Sequence, residues 1–386
     1  MWTHIAKSLK NRFVGLVPAF AAAAVLTAIA LPIQSQAQEL NFGKPGDPVK
    51  LVVGHPCCYT EVWSIMALRG KEFWKKYLPA GSTVDFEIGL QGSTIVNSML
   101  AGKQHIGYIG DLPAIVATTK SQQADIRIVA PVGVAFDQCN ILLVRADAPQ
   151  FKDTSEAVKW LAGKQFGVPK GACSDLFSKE MFAKAKVEPA AYLNQNIEVI
   201  TSGLRAGKLD GAAIWEPVAA RLITEGLARR VGSGINYDLK DSSYVLMRGE
   251  LIKQRPDVVK AWLNAELDAQ LYLADEKNSD ELIKMVMQQT TGFSEKSLWN
   301  AMYATYSEAQ GGTKVRLTLP YTFTPEVMGL LNKGTTFLSS IKAINTDKLR
   351  PDAVMPQFTE QILKERKLKS PVGEVKALPN SAYTGK

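Results

Sequence analysis

Short apolar segments alternate with amphipathic segments through the first half of the chain. Val49–Gly54 is almost wholly apolar, and Thr83–Ile88 alternates apolar with polar residues, as buried and half-buried strands do. Between them, Val62–Leu78 has apolar residues at helical spacing. A third strand is predicted over His105–Ile109, and Ser93 is a candidate N-cap of the helix before it. This alternation predicts parallel βα units, and therefore an open α/β sheet.

A near repeat indicates two lobes of similar construction. The segments AGKQHIGYIGDLPAIVA at 101–117 and AGKLDGAAIWEPVAA at 206–220 share four features: a helix end closed by Ala-Gly-Lys, a short strand, an acidic residue near a proline, and a helix of small residues. Chance similarity between two ordinary βα units is the alternative explanation. We interpret the repeat as evidence for two lobes, the second with a sheet that includes Gln165–Pro169 and Gly211–Ile214.

Two segments are candidates for the places where the chain passes between the lobes. Ile126–Val144 has two apolar runs around a break at Phe136–Gln138, and Ser242–Met247 is an isolated predicted strand. The pattern after this strand is mainly helical, and the tail from about Ser370, with its prolines and glycines, is expected to be weakly ordered. The predicted divisions are 1–37 for a leader, 38–144 for the first part of lobe 1, 145–241 for lobe 2, 242–345 for the return to lobe 1, and 346–386 for a C-terminal extension.

The first 37 residues have the composition of a secretory signal peptide. Lys7, Lys10 and Arg12 precede a mostly apolar run over Phe13–Leu31, and Ser35–Ala37 provides small residues for a cleavage site. A membrane helix kept in the mature protein is the alternative. We expect cleavage and a monomeric periplasmic protein. Removal of 37 residues leaves 349 of the 386, more than one hydrophobic core usually serves, so length also predicts two lobes.

The charge balance mildly favours an anionic ligand and argues against nucleic acid. Outside the leader, 42 of the 45 basic residues remain against 37 acidic residues, a net charge of +5. This excess is small and dispersed, whereas binding of nucleic acid requires a concentrated basic surface. We therefore expect a small-molecule ligand.

The cysteines predict a disulfide rather than a metal site. The mature chain contains Cys57, Cys58, Cys139 and Cys173. Disulfides persist in an oxidising compartment, and four cysteines allow three full pairings, or one bond with two thiols. We expect Cys57 or Cys58 to pair with Cys139, rather than the adjacent pair to bond to each other. Because no CxxC occurs and His55 and His105 are the only mature histidines, we expect no metal and no cofactor.

Loops that follow predicted strands and lead into helices are the candidate ligand-binding segments. In open α/β sheets the ligand lies beyond the carboxyl ends of the strands, where such loops converge. Three of the loops belong to lobe 1 and two to lobe 2, so a cleft between the lobes would be lined from both sides. The loops are His55–Glu61, Gln91–Thr94, Gly110–Pro113, Lys170–Asp175 and Trp215–Pro217.

Two of these loops have the composition of an anion site. Gly92-Ser93-Thr94 and Gly171-Ala172-Cys173-Ser174 combine small residues with hydroxyl groups before predicted helices, whose free N–H groups and dipole favour negative charge. Each hydrogen bond to a charged group contributes about 1.5–3 kcal/mol. The alternative is that Ser93 and Ser174 only cap their own helices. Their matching positions in the two lobes favour ligand binding.

Aromatic and acidic residues add to the candidate site. Tyr59, Trp63 and Trp215 would provide apolar walls, although the place of Trp63 inside a helical stripe favours the core. Trp215 is the stronger candidate because it ends a strand. Asp111 and Glu216 either cap helices or bind an amino group of the ligand or of the opposite lobe.

Four segments together, HPCCYTEVW, GSTIVNSMLAGKQHIGYIGDLPAIVA, GKQFGVPKGACSDLF and GKLDGAAIWEP, resemble the nitrate/sulfonate/taurine-type binding proteins, within a wider group that includes pyrimidine-precursor-binding proteins. The resemblance covers residues 49–225 well and the helical remainder loosely. It implies a two-lobed type II periplasmic-binding-protein fold that closes over a small organic anion (a sulfonate, a taurine-like compound or an aromatic carboxylate) and delivers it to an ABC permease driven by a cytoplasmic ATPase. By position, the implied ligand contacts are Tyr59, Gly92, Ser93, Thr94, Gly110, Asp111, Gly171, Ser174, Trp215 and Glu216.

Other functions remain open at this point. The wider group contains a pyrimidine-precursor synthase that uses a cysteine cluster, but only Cys57 and Cys58 are adjacent here, and the signal peptide argues against a cytosolic enzyme. A hydrolase that pairs either cysteine with His55 or His105 is possible on residue types alone. A ligand-sensing module would have the same fold as a transport protein.

Overall fold

The structure is a computed structural model that describes residues 40–57 and 59–385. The predicted signal peptide lies outside these residues. Within the described part of the chain, no helix is both long and apolar enough to cross a membrane.

The described residues contain twelve strands in two sheets. The first sheet has the strand order β12-β11-β4-β10-β3-β1-β2 and defines lobe 1, and the second has the order β7-β6-β8-β5-β9 and defines lobe 2. Strands β1 to β12 are Lys50–Pro56, Thr83–Gly89, Ile106–Gly110, Ile126–Ala135, Ile141–Arg145, Gln165–Val168, Ala191–Asn194, Gly211–Ile214, Ala228–Ser233, Asp241–Arg248, Val315–Leu319 and Gly373–Lys376.

The two sheets have matching strand orders. β2-β1-β3-β10-β4 in lobe 1 corresponds to β7-β6-β8-β5-β9 in lobe 2. In each sheet the first three of these strands are parallel, and the fourth, which arrives from the other lobe, is antiparallel to its neighbours. The near repeat falls on the equivalent strands β3 and β8. Gly102 and Gly207 precede these strands with φ of +73° and +64°, which glycine adopts without strain at a helix end.

Helices cover both sheets and form most of the chain after β10. The α1 helix ends at Gly70, and Glu72 adopts a left-handed φ of +52° before a 3-10 turn, so the predicted helix over Val62–Leu78 is interrupted where glycine disfavours its continuation. Helices α1 to α13 are Ser64–Gly70, Gly92–Leu100, Asp111–Thr118, Thr154–Trp160, Cys173–Ala185, Ile197–Arg205, Val218–Thr224, Gly249–Gln254, Pro256–Ala274, Ser279–Gln289, Glu295–Tyr303, Pro325–Ser340 and Gln357–Arg366.

The start of lobe 2 and the order of the C-terminal tail differ from the predictions. The strand β5 pairs within the sheet of lobe 2, so the chain enters that lobe before Arg145. The tail is also more ordered than its composition predicts, because β12 pairs with β11 at the edge of the first sheet and buries Val375. The prediction of a weakly ordered tail is therefore wrong for this strand.

A buried network of ion pairs joins the two lobes. Asp137, between β4 and β5, accepts hydrogen bonds from Arg230 of lobe 2 (Nη2 to Oδ2, 3.0 Å) and from Arg316 of lobe 1. All three side chains are almost fully buried. Arg230 also donates to the carbonyl oxygen of Gly311 at 2.7 Å, and its guanidinium lies 4.2 Å from the ring centroid of Tyr306. The network thus joins a crossing segment to both lobes.

The disulfide differs from the prediction. Cys139 is bonded to Cys173, with Cα atoms 6.1 Å apart, so its predicted pairing with Cys57 or Cys58 is wrong. Cys139 lies on the first crossing and Cys173 begins α5 in lobe 2. The bond attaches the crossing segment to lobe 2. The two cysteines come close together because of how lobe 2 folds, which their spacing in the sequence does not indicate.

Candidate functional site

A cavity that is open to solvent lies between the lobes, at the carboxyl ends of their parallel strands. The loops after β1, β2 and β3 line it from lobe 1, and the loops after β6 and β8 line it from lobe 2. All five loops chosen from the sequence therefore contribute to one cavity. This convergence follows from the parallel pairing of the strands, which places their carboxyl ends at one edge of each sheet.

The ten candidate residues divide into two groups. Four of them, Thr94, Asp111, Ser174 and Glu216, do not line the cavity, and ligand contact remains a prediction for all ten. The candidates that line it are Tyr59, Gly92, Ser93, Gly110, Gly171 and Trp215.

Free backbone N–H groups lie at the starts of two helices, one in each lobe. Helix α2 begins at Gly92 and α5 begins at Cys173. The N–H groups of Gly92, Ser93, Cys173 and Ser174 donate no hydrogen bond to any described residue, as expected in the first turn of a helix. Each lobe therefore provides two free donors at a positive helix end. The N–H of Gly171 is not among them, because Asp175 accepts its hydrogen bond.

Neither candidate serine caps its helix. The N-cap of α2 is Gln91, and its side chain donates to Ser93 Oγ at 2.9 Å, so the predicted capping role of Ser93 is wrong because the helix begins two residues earlier than predicted. The N-cap of α5 is Ala172. Ser174 Oγ is buried and has no hydrogen-bond partner among the described residues. The alternative that both serines serve only as caps is thus not supported.

Tyr59 joins the cavity wall to a buried acidic cluster. Its hydroxyl oxygen lies 2.6 Å from Glu61 Oε2 and 3.0 Å from Asp241 Oδ2. A phenol has a single hydrogen, so these two short contacts favour a proton on one of the carboxyl groups. Burial raises the pKa of Glu61 and of Asp241 above the ordinary range. Burial, and then the charge of Asp241, raise the pKa of Asp111 to about 8. Protonation within this group of carboxyl side chains lowers the negative charge beside the cavity at neutral pH.

Asp111 and Glu216 both bond to backbone N–H groups at helix starts. Asp111 Oδ1 accepts from Leu112 N at 2.7 Å, and Glu216 Oε2 accepts from Ala220 N at 2.8 Å. The second oxygen of Glu216 lies 4.0 Å from Arg316 Nη2 in the other lobe. Burial raises the pKa of Glu216 to about 7 against the opposing effect of that arginine. Each acid therefore accepts a hydrogen bond from a backbone N–H in the first turn of a helix, although the N-cap residues are Gly110 and Pro217.

The two candidate tryptophans lie where their positions in the sequence predict. Trp63 is fully buried in the core, whereas Trp215 lines the cavity. Sequence reasoning missed Leu90, whose side chain is 61% exposed at the cavity, and the lining role of Cys139. It also missed Lys170, a positively charged residue in the cavity wall, although Lys170 is the first residue of the predicted loop Lys170–Asp175.

The two histidines do not form a catalytic pair with a cysteine among the described residues. His105 Nδ1 accepts from Val52 N at 3.1 Å, and His55 Nδ1 lies 3.3 Å from the carbonyl oxygen of Pro56. Burial lowers the pKa of both imidazoles to about 4. These contacts give no support to a Cys/His hydrolase.

Solved structures of low sequence identity have the same fold. The alkanesulfonate-binding protein SsuA from Xanthomonas axonopodis pv. citri, bound to MOPS, has a TM-score of 0.63 and 17% identity over 81% of this chain and 99% of its own. The periplasmic nitrate-binding protein NrtA from Synechocystis PCC 6803 has a TM-score of 0.65 and 13% identity, over 84% and 90%. The desulfurization enzyme DSZB has a TM-score of 0.58 and 16% identity, over 82% and 99%.

These similarities confirm the predicted two-lobed periplasmic-binding-protein fold. No curated protein matches the sequence. A family model provides the classification: the model of the NMT1-like family matches residues 44–287, more than half of the chain, and this chain belongs to that family.

Proposed function

We propose that this chain is a periplasmic solute-binding protein that captures a small organic anion between its lobes and delivers it to an ABC permease with a cytoplasmic ATPase. The observation that carries the proposal is the set of free backbone N–H groups at the starts of α2 and α5, one helix from each lobe, where Gly92, Ser93 and Cys173 line one cavity. The fold shared with the MOPS-bound SsuA and with the nitrate-binding NrtA supports the same function. Capture between two lobes would couple binding to their closure.

The lining of the cavity favours an anion with an apolar part. The oxygens of a sulfonate or carboxylate would accept hydrogen bonds from the free N–H groups of α2 and α5, and Lys170 would add a positive charge. Trp215, Ile109 and Leu90 provide apolar surface for the remainder of the ligand. Alkyl sulfonates, taurine-like compounds and aromatic carboxylates all meet this description.

The cavity favours binding over catalysis. DSZB is an enzyme with the same fold, so the fold does not separate the two functions. In the part of the cavity wall that the structure describes, Cys139 and Cys173 are bonded to each other. A disulfide provides no thiolate nucleophile, and this supports a binding role for the oxidised protein.

Trp215→Ala is expected to weaken binding of the best ligand by about 30-fold, on the order of 2 kcal/mol, because the indole is an aromatic wall of the cavity. A thermal-shift screen of sulfonates, aromatic acids, nitrate, bicarbonate and pyrimidines would identify that ligand, and calorimetry would then compare the proteins. Trp160→Ala is the control, because Trp160 packs on Phe151 in the same lobe away from the cavity. Equal affinities for Trp215→Ala and the parent would contradict the assignment.

Ser93→Ala and Ser174→Ala are each expected to reduce affinity for the same ligand, by about 1.5–3 kcal/mol if the hydroxyl bonds to a charged group. Calorimetry at one pH would measure both effects. Ser98→Ala is the matched control, because Ser98 lies at the other end of α2. If neither variant differs from this control, the two hydroxyl groups do not contact the ligand.

A further inference from the structure

Three potential metal ligands from distant parts of the sequence meet beside the cavity. The sulfur atoms of Cys139 and Cys173 and a carboxylate oxygen of Asp241 all lie within 4.8 Å of one another, and all three residues are buried. Both cysteines line the cavity, where Cys173 is 8% exposed and Cys139 is fully buried. Asp241 begins β10, at the second crossing. Their spacing of 34 and 68 residues matches no sequence motif, and only the fold shows the cluster.

Asp241 has an oxygen available for a cation. Its Oδ2 is in contact with the hydroxyl group of Tyr59 at 3.0 Å, whereas its Oδ1 is buried and has no N–H, hydroxyl or cationic partner among the described residues. The Asp241 carboxyl group is also in hydrogen-bond contact with that of Glu61. A buried oxygen without a partner is costly, and a bound cation would remove that cost. The tyrosine would then hold the ligating carboxylate in place, as the outer groups of metal sites do.

We propose that reduction of the Cys139–Cys173 disulfide creates a binding site for a thiophilic divalent cation such as Zn²⁺, held by the two thiolates and Asp241. A dithiol or phosphine reductant supplies two electrons, the S–S bond breaks, and the sulfurs take up two protons to become thiols. A dithiol gives up its own two protons and becomes a disulfide, whereas with a phosphine one water molecule supplies both protons and the oxygen of the phosphine oxide. The cation then displaces these protons to water as the sulfurs bind it.

The ligand set determines which cation fits. Two thiolates and one carboxylate match Zn²⁺, which also leaves a fourth position for water or another ligand. Mg²⁺ and Ca²⁺ prefer oxygen ligands alone. In the oxidised protein the sulfurs are not thiolates, so only Asp241 could bind. The site would thus exist only in the reduced protein.

Cobalt(II) absorption tests the proposal directly. Cys57→Ser combined with Cys58→Ser leaves Cys139 and Cys173 as the two remaining cysteines. After reduction, this double variant is expected to bind one equivalent of Co²⁺ with a thiolate-to-cobalt charge-transfer band, and Zn²⁺ should displace it. The oxidised double variant should show no such band.

Further substitutions identify the ligands. Asp241→Asn in the same background is expected to lower Zn²⁺ affinity by at least about 10-fold, measured by competition with a chromophoric chelator. Glu266→Gln is the control, because it changes another fully buried carboxyl group and should leave the affinity unchanged. The far-UV circular dichroism of each oxidised variant checks that it has folded.

Two results would overturn the proposal. One is a reduced double variant without a charge-transfer band at one equivalent of Co²⁺. The other is a folded Asp241→Asn variant with the affinity of its parent. If Asp241→Asn does not fold, Cys173→Ser serves instead, and a charge-transfer band of undiminished intensity in that variant would equally contradict the site.

Discussion

We expect Asp137→Ala to lower the free energy of unfolding by about 3–5 kcal/mol, because it leaves two buried guanidinium groups without their shared counter-charge. Arg230 and Arg316 both donate to Asp137 Oδ2, and all three side chains are at most 1% exposed. Loss of the carboxylate would also weaken the attachment between the first crossing and the two lobes. Urea unfolding at neutral pH, followed by circular dichroism, measures the change.

Asp125→Ala is the matched control for this prediction. Asp125 bonds to Arg127 and Arg350, but its side chain is 35% exposed. Ion pairs exposed to water contribute about 0–1 kcal/mol, so this substitution is expected to have a much smaller effect. Equal destabilisation by the two substitutions would contradict the importance that we assign to the buried network.

We expect the free energy of unfolding of Asp111→Asn to fall less steeply with rising pH than that of the parent protein. Near pH 8 the variant should be the more stable of the two. Burial raises the pKa of Asp111 from 3.8 to about 8, so between these values the folded state keeps a proton that the unfolded chain has released. Stability therefore falls as pH rises through this window, by up to about 1.4 kcal/mol per pH unit for one group. Asparagine cannot ionise, but it can still accept the hydrogen bond from Leu112 N.

Urea unfolding at several pH values between about 5 and 8 tests this prediction. The accumulated difference between variant and parent over this window is expected to reach several kcal/mol, up to about 4. A slope should remain in the variant, because burial also raises the pKa of Asp241 and of Glu216 to about 7. Asp147→Asn, at a side chain that is 76% exposed, should leave the slope unchanged. Parallel curves for Asp111→Asn and the parent would contradict the prediction.

Much of the fold follows from local sequence pattern. The strand at Gly211–Ile214 coincides with its prediction, and the near repeat correctly indicated equivalent units in two lobes. The ladder between β3 and β10 could not be predicted in this way, because β10 returns from lobe 2 and its antiparallel partner is more than 130 residues away. Pairings of this kind depend on the whole topology, and so does the Cys139–Cys173 bond.

The location of the site was more predictable than its chemistry. Loops after parallel strands must converge, so the lining roles of Gly92 and Trp215 could be inferred. The partners of individual side chains depend on where each helix begins, and a shift of two residues at the start of α2 changed the role of Ser93. The contacts of Glu61 and Asp241 with Tyr59 join residues up to 182 positions apart, so no local pattern indicates them.

A crystal structure of the protein with the best ligand from the thermal-shift screen tests the central claim most directly. We predict density for the anion between the lobes, with its oxygens hydrogen-bonded to N–H groups at the start of both α2 and α5 and its apolar part against Trp215. Density on one lobe only, or outside this cavity, would contradict the account.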